Sequence, residues 1–488
     1  MNVLFVVNQL RDCTTEIPGA TVVSAREYLT DAAYGESQPA RVINLCRTDR
    51  YQGRGYYVSL LAEAQGHHPL PEVKTLGDLQ AGQPDTLFTG VPADLIERAL
   101  AGVKGDTHTL DSYLGRDPLR RNDALCQRLF GIVRVPLLRA SFAREGGRWK
   151  ISGVQSLSAG DIPVEHRAFF AEAAADYLAG RKAPRCGRDT TGDRPRFGIL
   201  YNEDEPEPPS NRAALDKFIE TARALGMAAQ FIRRDEIERV SSLDALFIRD
   251  TTNVNHYTYQ FARRAATDGV IVIDDPESIL RCTNKVYLNA LFSRHRVPVP
   301  RTMMVHRENA AQVIPSLSLP CILKLPDGAF SLGVAKIESE ESLFECLDEF
   351  FAKSDMVIAQ EWLPTDFDWR VAIYDRRPLF VCKYFMAPGH WQVVKREKGR
   401  KFEGTTSTMA VGEAPEIVVK TALRAANLIG DGLYGVDLKQ ANNQCYVMEI
   451  NDNPNIDAGN EDSVLGDALY REIVGVMLRR VNARNGGH

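Results

Sequence analysis

Between residues 197 and 280 the sequence alternates short apolar strands with helical segments, and this alternation limits the fold more than any other feature. Continuous apolar runs of strand length occur at 197–201, 243–248 and 270–273. Strands of this kind are buried on both faces, which is typical of a parallel sheet covered by helices. Ser210 is predicted to cap the helix that lies between the first two strands. The sequence therefore predicts a small parallel α/β domain here.

The regions on either side have different patterns. Residues 1–180 again combine strands with helices, and antiparallel strands are expected over 131–156. Residues 282–488 mix short helices with alternating strands, which indicates an α+β arrangement. The segment 181–196 is polar, contains two prolines and two glycines, and shows no periodicity. It is predicted to be a linker.

Composition excludes several classes of protein. Of the 488 residues, 44% are hydrophobic and 25% charged, so the chain is neither disordered nor membrane-spanning. The net charge of −5 argues against a nucleic-acid-binding protein. The nine cysteines are scattered and odd in number, which favours a reduced chain over a disulfide framework. We therefore expect a cytoplasmic protein with neither membrane nor nucleic acid as a partner.

The segment 433–455 predicts a β-hairpin that carries oxygen-bearing side chains inside apolar strands. One strand contains Asp437, an Asn-Asn pair forms the turn, and the second strand contains Glu449 and ends near Asn451. Because strand side chains alternate between two faces, Glu449 and Asn451 share a face that Asp437 can join. Two carboxylates and an amide offer the oxygen ligands that Mg²⁺ prefers. A solvated hairpin face is the alternative, although polar groups inside apolar strands need partners.

Two upstream segments place charged side chains on strands. Lys324 ends a buried strand and precedes a glycine-containing loop at 327–333, so its ammonium group and the loop amides can clamp a polyphosphate. A lysine that extends to solvent before a turn is the common alternative. Asp368 and Arg370 are two residues apart on a later strand and share a face. Such a pair is most often a structural ion pair.

In their order along the chain, these segments resemble the ATP-grasp superfamily, and in particular the RimK-like carboxylate–amine ligases. The matching segments are Cys-Thr-Asn-Lys at 282–285, Val-Pro-Val-Pro-Arg-Thr at 297–302, Ile-Leu-Lys at 322–324, Gln-Glu-Trp-Leu at 360–363, Asp-Trp-Arg at 368–370 and the hairpin. The resemblance covers about 197–475. It implies a pre-ATP-grasp domain over 197–280, a small ATP-grasp subdomain over 281–357 and a large one over 358–480.

The resemblance also implies ATP and magnesium binding. It assigns Lys285 and Lys324 to the phosphates, Gln360, Glu361, Trp362 and Leu363 to the adenine, and Asp368 to the ribose. It assigns Asp437, Glu449 and Asn451 to two Mg²⁺ ions, with Mn²⁺ as an alternative ion, and Arg370 to the transferred phosphoryl group. Arg370 and Lys324 are thus the implied catalytic residues. Phosphoryl transfer depends on positioning and charge neutralisation, which such a set can supply.

One part of the family's pattern has no counterpart. The Arg-Ser-Asn stretch that follows the Asp-x-Arg strand in the family is replaced here by a region containing Lys383, His390, Trp391 and Gln392. We expect these side chains to take over the missing contacts or to shape the acceptor site. A basic run at 395–401 follows them, and it can equally be a surface loop.

Residues 1–180 exceed what a minimal ligase requires and resemble the N-terminal extension of a subgroup of RimK-like proteins. The supporting residues are the Asn-Leu-Cys-Arg segment at 44–47 and the segment 51–63. Glycines that enter a helix after a strand can form an anion pocket, but a packing turn is the favoured interpretation. Cys46 would act as a nucleophile only with a base close in space. The extension is expected to help select the acceptor.

The function implied by the resemblance is that of an ATP-dependent ligase. It would form an amide bond through an acyl phosphate, release ADP and phosphate, and join a glutamate-like amino acid to a small-molecule, peptide or protein acceptor. Two alternatives stay open: a kinase on the same fold that phosphorylates a small molecule, and a nucleotide-binding module without turnover. The expected partners are amino-acid and amine or carboxylate substrates. Since RimK-like enzymes are commonly homo-oligomers, the resemblance also implies a homo-oligomer.

Overall fold

The computed structural model describes residues 2–13, 17, 19–35, 39–80, 87–88, 91–179, 194–328, 333–397 and 400–484. Most of the predicted linker, residues 329–332 of the glycine-containing loop and residues 398–399 of the basic run lie outside them, as do the side chains of 396–401. The chain divides into two compact units, Met1–Cys186 and Gly187–His488. In the described part of the chain, no helix has both the length and the apolar character needed to cross a membrane.

The first unit contains a parallel sheet and an antiparallel sheet. The parallel strands are β1 (Val3–Val7), β2 (Thr21–Ser24), β3 (Arg41–Asn44) and β4 (His68–Leu70), in the order β2-β1-β3-β4. The antiparallel strands are β5 (Thr107–Tyr113), β6 (Leu137–Glu145) and β7 (Arg148–Ser156), in the order β5-β6-β7. The helices are Ala25–Thr30, Ala32–Gly35, Arg54–Ala64, Val73–Gln80, Ala93–Ala99, Asp123–Ile132 and Arg167–Ala179, and the 3₁₀ turns are Leu10–Asp12, Ala159–Asp161 and Val164–His166.

These sheets confirm the α/β prediction for the first 180 residues and correct one boundary. The first strand of the predicted antiparallel pair, β6, begins at Leu137 rather than near residue 131, because Asp123–Ile132 is helical. An earlier strand that was not predicted, β5, joins the same sheet. Gly146 and Gly147 form the turn between β6 and β7, where they adopt positive φ angles of 59° and 81°. Two positive φ angles in succession are the geometry of a tight hairpin turn, which glycine adopts at little cost.

The second unit begins with the predicted parallel sheet. Its strands are β8 (Arg196–Leu200), β9 (Ala228–Ile232), β10 (Ala245–Ile248) and β11 (Ile271–Ile273), in the order β11-β10-β8-β9. The associated helices are Arg212–Ala224, Tyr257–Thr267 and Pro276–Thr283, with a 3₁₀ turn at Ile237–Ser242. The predicted cap is wrong by one residue: Asn211, not Ser210, accepts the amide of Ala214. The Ser210 hydroxyl instead donates to the carbonyl of Ile456.

Two antiparallel sheets follow. The first consists of β12 (Thr302–Val305), β13 (Cys321–Lys324), β14 (Val334–Ile337) and β15 (Val357–Glu361), in the order β12-β15-β13-β14, with helices Lys285–Arg294, Val313–Leu317 and Glu340–Phe351 and a 3₁₀ turn at Ala310–Gln312. The second consists of β16 (Phe367–Tyr374), β17 (Arg377–Phe385), β20 (Thr406–Met409), β21 (Leu433–Ala441) and β22 (Gln444–Asn451), in the order β20-β17-β16-β21-β22, with helices Glu416–Ile429 and Asp467–Arg484 and a 3₁₀ turn at Val411–Glu413. A separate ribbon pairs β18 (Val394–Glu397) with β19 (Arg400–Glu403).

The parallel sheet of the second unit and the five-stranded sheet share one hydrophobic core. Helix Asp467–Arg484 packs on helix Arg212–Ala224, where the ring centroids of Phe218 and Tyr470 are 4.7 Å apart. Buried Arg249, at the end of β10, donates to the carbonyl of Pro454 at 2.9 Å. The segment that follows β22 is therefore tied to the carboxyl edge of the parallel sheet, which fixes the position of the hairpin.

Candidate active site

The predicted hairpin is present as β21 and β22. Asn442 and Asn443 form its turn with φ angles of 51° and 61°, the values that a two-residue hairpin turn requires. Asp437 lies directly opposite Glu449 in the strand register. The Asn451 side-chain amide donates to Asp437 Oδ2 at 3.1 Å. The three oxygen-bearing side chains that the sequence singled out are thus brought together.

Arg370 joins this group from the neighbouring strand, β16, where it stands opposite Asp437. Its Nε and Nη2 atoms donate to the two carboxylate oxygens of Asp437, each at 2.6 Å. Burial raises the pKa of Asp437, and the Arg370 guanidinium opposes that rise. The guanidinium also lies over the ring of Tyr384, 4.8 Å from its centroid. A bidentate pair of this kind fixes the orientation of both groups.

Lys285 approaches the same carboxylates from the first turn of helix Lys285–Arg294. Its ammonium nitrogen is 3.6 Å from Glu449 Oε2 and donates to the carbonyl of Gly328 at 2.5 Å. Burial disfavours the charge of Glu449, but Lys285, Lys324 and Arg370 outweigh burial and lower its pKa. Glu449 is therefore a carboxylate held in its charged form by three cations.

Lys324 is buried at the end of β13, with 9% of its surface exposed. Its ammonium group donates to Gln360 Oε1 at 2.9 Å, and the Gln360 amide donates to the Thr302 hydroxyl at 3.0 Å. Burial lowers the pKa of Lys324 from its ordinary value of 10.5 to about 8, and the charge of Glu449 opposes this change. The alternative of a lysine that extends to solvent is wrong, because a neighbouring strand holds this ammonium group inside the site.

The expected Asp368–Arg370 ion pair does not form, because each residue pairs with a residue on β21. Arg370 pairs with Asp437, whereas Asp368 Oδ1 accepts from Lys439 Nζ at 2.6 Å. Lys439 also donates to the Thr365 hydroxyl at 2.6 Å. Sequence reasoning missed Lys439. Its position two residues after Asp437 on the same predicted strand could have indicated it, because residues two apart on a strand share a face.

The segment 360–363 ends β15 and leads out of the small sheet. The Glu361 carboxylate accepts from the backbone and side-chain nitrogens of Arg301 at 2.8 and 2.7 Å, and its own amide donates to the Arg301 carbonyl. The ring of Trp362 lies under the ammonium group of Lys336, 4.8 Å from the centroid. Trp391 meets the same ring edge-on, with centroids 5.3 Å apart.

The four residues expected to replace the missing family stretch have different surroundings. Trp391 lies beside the Trp362 ring. Lys383 lies over two rings of β16, those of Phe367 and Trp369, at 4.7 and 4.9 Å. His390 and Gln392 contact each other, with Nε2 3.2 Å from Oε1. Trp391 is therefore the member of this group that is placed beside the 360–363 segment.

In the first unit, the segment after β3 is a packing turn. A Cβ atom on Gly55 would lie 2.1 Å from the carbonyl oxygen of Arg47, so the helix start can approach the strand only with glycine. Cys46 is buried, and its thiol donates to the carbonyl of Val6. Burial raises its pKa. A buried thiol of this kind is inert, so Cys46 does not act as a nucleophile.

The donor set of the hairpin is compatible with magnesium but does not form a complete cage. No group of three or more His, Cys, Asp or Glu side chains in the described ranges could hold a metal ion. Asp437, Glu449 and Asn451 contribute two carboxylates and one amide. Mg²⁺ commonly binds through one or two carboxylates and completes its coordination with water and phosphate oxygens, so these residues fit an ion that arrives with a nucleotide.

Comparisons with known proteins show which family the chain resembles. The family description "RimK-like ATPgrasp N-terminal domain" matches residues 25–173, and "RimK-like ATP-grasp domain" matches residues 282–468. A probable alpha-L-glutamate ligase from Pseudomonas paraeruginosa is 24% identical over 253 residues, covering 51% of this chain and 79% of the relative. A protein of the same name from Vibrio vulnificus is 25% identical over 224 residues, covering 45% and 72%.

Among solved structures, the D-alanine–D-alanine ligase from Bacillus anthracis has 15% sequence identity and a TM-score of 0.47, covering 60% of this chain and 98% of that one. The two family matches lie on different parts of the sequence and together span more than half of it. The chain therefore belongs to the RimK-like ATP-grasp family, whose members are ATP-dependent ligases.

Proposed function

We propose that the chain joins a carboxylate to an amine at the expense of ATP and that the amino acid it uses is glutamate or a close analogue. The observation that carries this proposal is the convergence of Lys285, Lys324 and Arg370 on the paired carboxylates Asp437 and Glu449. The three cations can neutralise the negative charge of ATP phosphates, and the two carboxylates can hold the metal ion that accompanies those phosphates. The relatives named alpha-L-glutamate ligases support glutamate as the amino acid.

On this proposal, the nucleotide lies between the two antiparallel sheets. Lys285 and Lys324 hold the phosphates, and Asp368, oriented by Lys439, binds the ribose hydroxyls. The adenine lies along the segment 360–363, beside Gln360 and Trp362. Since the Glu361 amide already donates to Arg301, the backbone groups offered to the ring are the Glu361 carbonyl and the Leu363 amide. Residues 197–280, 281–357 and 358–480 are then the pre-ATP-grasp domain and the small and large ATP-grasp subdomains.

Asp437, Glu449 and Asn451 would hold one or two Mg²⁺ ions. When bound, the metal neutralises charge on the phosphates. In the structure, both oxygens of Asp437 accept from Arg370, so Asp437 shares its negative charge between the guanidinium and any metal. On this proposal, Arg370 would lie beside the phosphoryl group that is transferred.

The proposed reaction has two steps. A carboxylate oxygen of the first substrate attacks the γ-phosphorus of ATP, the bond to the ADP oxygen breaks, and an acyl phosphate forms. The nitrogen of the second substrate then attacks the acyl carbon, phosphate leaves, and the amine loses a proton to give the amide. Arg370 stabilises negative charge on the transferring group, the electrostatic contribution that dominates such reactions.

Hydroxylamine trapping tests the proposal. Incubation of the full chain with ATP, Mg²⁺, glutamate and hydroxylamine should yield a hydroxamate and one ADP for each hydroxamate formed. Formation of AMP and pyrophosphate would rule out the acyl-phosphate route, and a stable phosphorylated hydroxyl compound would identify a kinase. Without hydroxylamine, a screen of acceptor amines with mass analysis of the products would identify the second substrate.

Two variants make the test specific. Glu449→Ala removes the carboxylate that three cations surround and should abolish ADP release. Glu345→Ala changes an exposed glutamate on helix Glu340–Phe351 and should leave turnover intact. Retained activity in Glu449→Ala would contradict the metal assignment.

The cysteines among the described residues are free thiols, which fits the reducing cytoplasm in which we place the enzyme. Its oligomeric state, expected to be homo-oligomeric, can be measured by light scattering.

A further inference from the structure

The parallel sheet of the first unit has a topological switch point. The strand order β2-β1-β3-β4 means that the chain leaves β1 toward one side for β2 and then crosses to the other side for β3. The loops that leave β1 and β3 therefore diverge. In open parallel sheets, ligands bind in the crevice that such divergence creates at the carboxyl ends of the strands.

A cleft of about 350 Å³ lies at this point. It is lined by Asn8, which follows β1 directly, by Asp12 and Arg47, and by Ser158, Gly160 and Asp161. The 3₁₀ turn Ala159–Asp161 is held in place because the Ala159 amide donates to the carbonyl of Leu45 at 2.9 Å. The volume falls within the range of small-molecule sites, which is roughly 300 to 1,000 Å³.

The polar side chains that line the cleft suit a ligand with one positively charged and one negatively charged group. Arg47 is exposed. Burial disfavours the charge of Asp161, but its hydrogen bonds to Ser158 and the charges of Arg47 and Arg139 outweigh burial and lower its pKa. Asp161 Oδ2 accepts from the amide and the hydroxyl of Ser158 at 2.9 and 2.7 Å, and Asp12 Oδ2 accepts from the Gln9 amide at 3.0 Å. These bonds use one oxygen of each carboxylate, so they orient the carboxylates without consuming them.

The two 3₁₀ turns approach each other across Gly160. A Cβ atom at Gly160 would lie 3.8 Å from Asp12 Oδ1 and from the Ser158 hydroxyl oxygen. These are ordinary van der Waals distances, so the Asp12 carboxylate lies close to the Ala159–Asp161 turn. Asp12 and Asp161 can then meet one ammonium group, while Arg47 offers a bidentate partner for a carboxylate.

We propose that this cleft is a second ligand site that binds a free α-amino acid, with its carboxylate on Arg47 and its ammonium group on Asp12 and Asp161. The site lies within the first unit and does not depend on the proposed ligase function. It gives the N-terminal extension a role of its own, namely the recognition of a small zwitterion.

Calorimetric titration of the full chain with the proteinogenic amino acids tests this site. The Glu449→Ala variant serves as the protein, so that turnover does not interfere. At least one amino acid should bind, and its N-acetyl and amide derivatives should bind at least tenfold more weakly, since each lacks one of the two charges. Absence of binding up to 10 mM, or equal binding of a simple dicarboxylate, would overturn the proposal.

Variants in the cleft separate it from the active site. Arg47→Gln, introduced together with Glu449→Ala, should weaken binding at least tenfold, whereas the exposed Arg148→Gln should leave it unchanged. Asp12→Asn, which keeps an acceptor for the Gln9 amide, should weaken binding to a similar degree. Binding that survives Arg47→Gln would assign the amino acid to another site. A dipeptide that binds as tightly as the free amino acid would overturn the α-amino-acid assignment in favour of a peptide terminus.

Discussion

Raising the pH should weaken ATP binding through Lys324. Burial lowers the pKa of this lysine to about 8, so its charge is lost over an accessible pH range. If the phosphates bind only the charged form, the apparent Kd is multiplied by one plus the ratio of neutral to charged lysine. This factor is about 1.1 at pH 7, about 2 at pH 8 and about 11 at pH 9.

Isothermal titration calorimetry with ATP and no added divalent metal measures this effect directly. Titrations at pH 8 in two buffers with different heats of protonation should reveal an uptake of about half a proton for each ATP bound. Lys324→Arg keeps the positive charge up to a far higher pH, so its Kd should stay flat between pH 7 and 9. A flat profile in the unaltered chain, or the same rise in the arginine variant, would refute the assignment of Lys324 to the phosphates.

The lowered pKa of Lys324 also makes the free energy of unfolding depend on pH, and this contribution rises as the pH rises. The folded chain holds the Lys324 proton less tightly than the unfolded chain, because the folded pKa of about 8 lies below the ordinary 10.5. The cost of burying the charged lysine is fully present below pH 8. As the pH rises through 8 toward 10.5, this group's contribution to the free energy of unfolding should increase. Comparison of chemical denaturation curves for the unaltered chain and Lys324→Met would isolate it.

Two glycines offer further tests. Gly55→Ala places a Cβ atom 2.1 Å from the Arg47 carbonyl oxygen and should destabilise the first unit by about 1–3 kcal/mol or more, measured by hydrogen exchange in that unit. Gly435→Ala brings a Cβ atom to 2.8 Å from Pro454 Cβ and to 3.4 Å from Arg370 Cδ. It should therefore lower the Tm of the second unit through the clash with Pro454 and lower kcat by about tenfold or more as Arg370 shifts. Gly102→Ala, which would meet no atom within 4 Å, is the control for both, and equal effects in the control would contradict the steric reasoning.

Local patterns were enough to predict much of the fold and the convergence of the hairpin's oxygen-bearing side chains. The apolar runs of β8, β10 and β11, the helical periods between them and the Asn-Asn turn of the hairpin are properties of consecutive residues. The alternation of side chains along a strand correctly predicted that Glu449 and Asn451 share a face with Asp437. The order of the motifs along the chain was enough to indicate the family, since each motif adds a constraint that an unrelated chain does not satisfy.

The partners of the charged residues were decided by tertiary structure alone. Arg370 pairs with Asp437, 67 positions away, and Asp368 pairs with Lys439, 71 positions away. These pairs depend on the register between β16 and β21, which no local period encodes. Ser210 failed as a cap for a similar reason, since a distant carbonyl took its hydroxyl. The cleft at the β1–β3 switch point likewise exists only once the strand order is set, because that order decides which loops diverge.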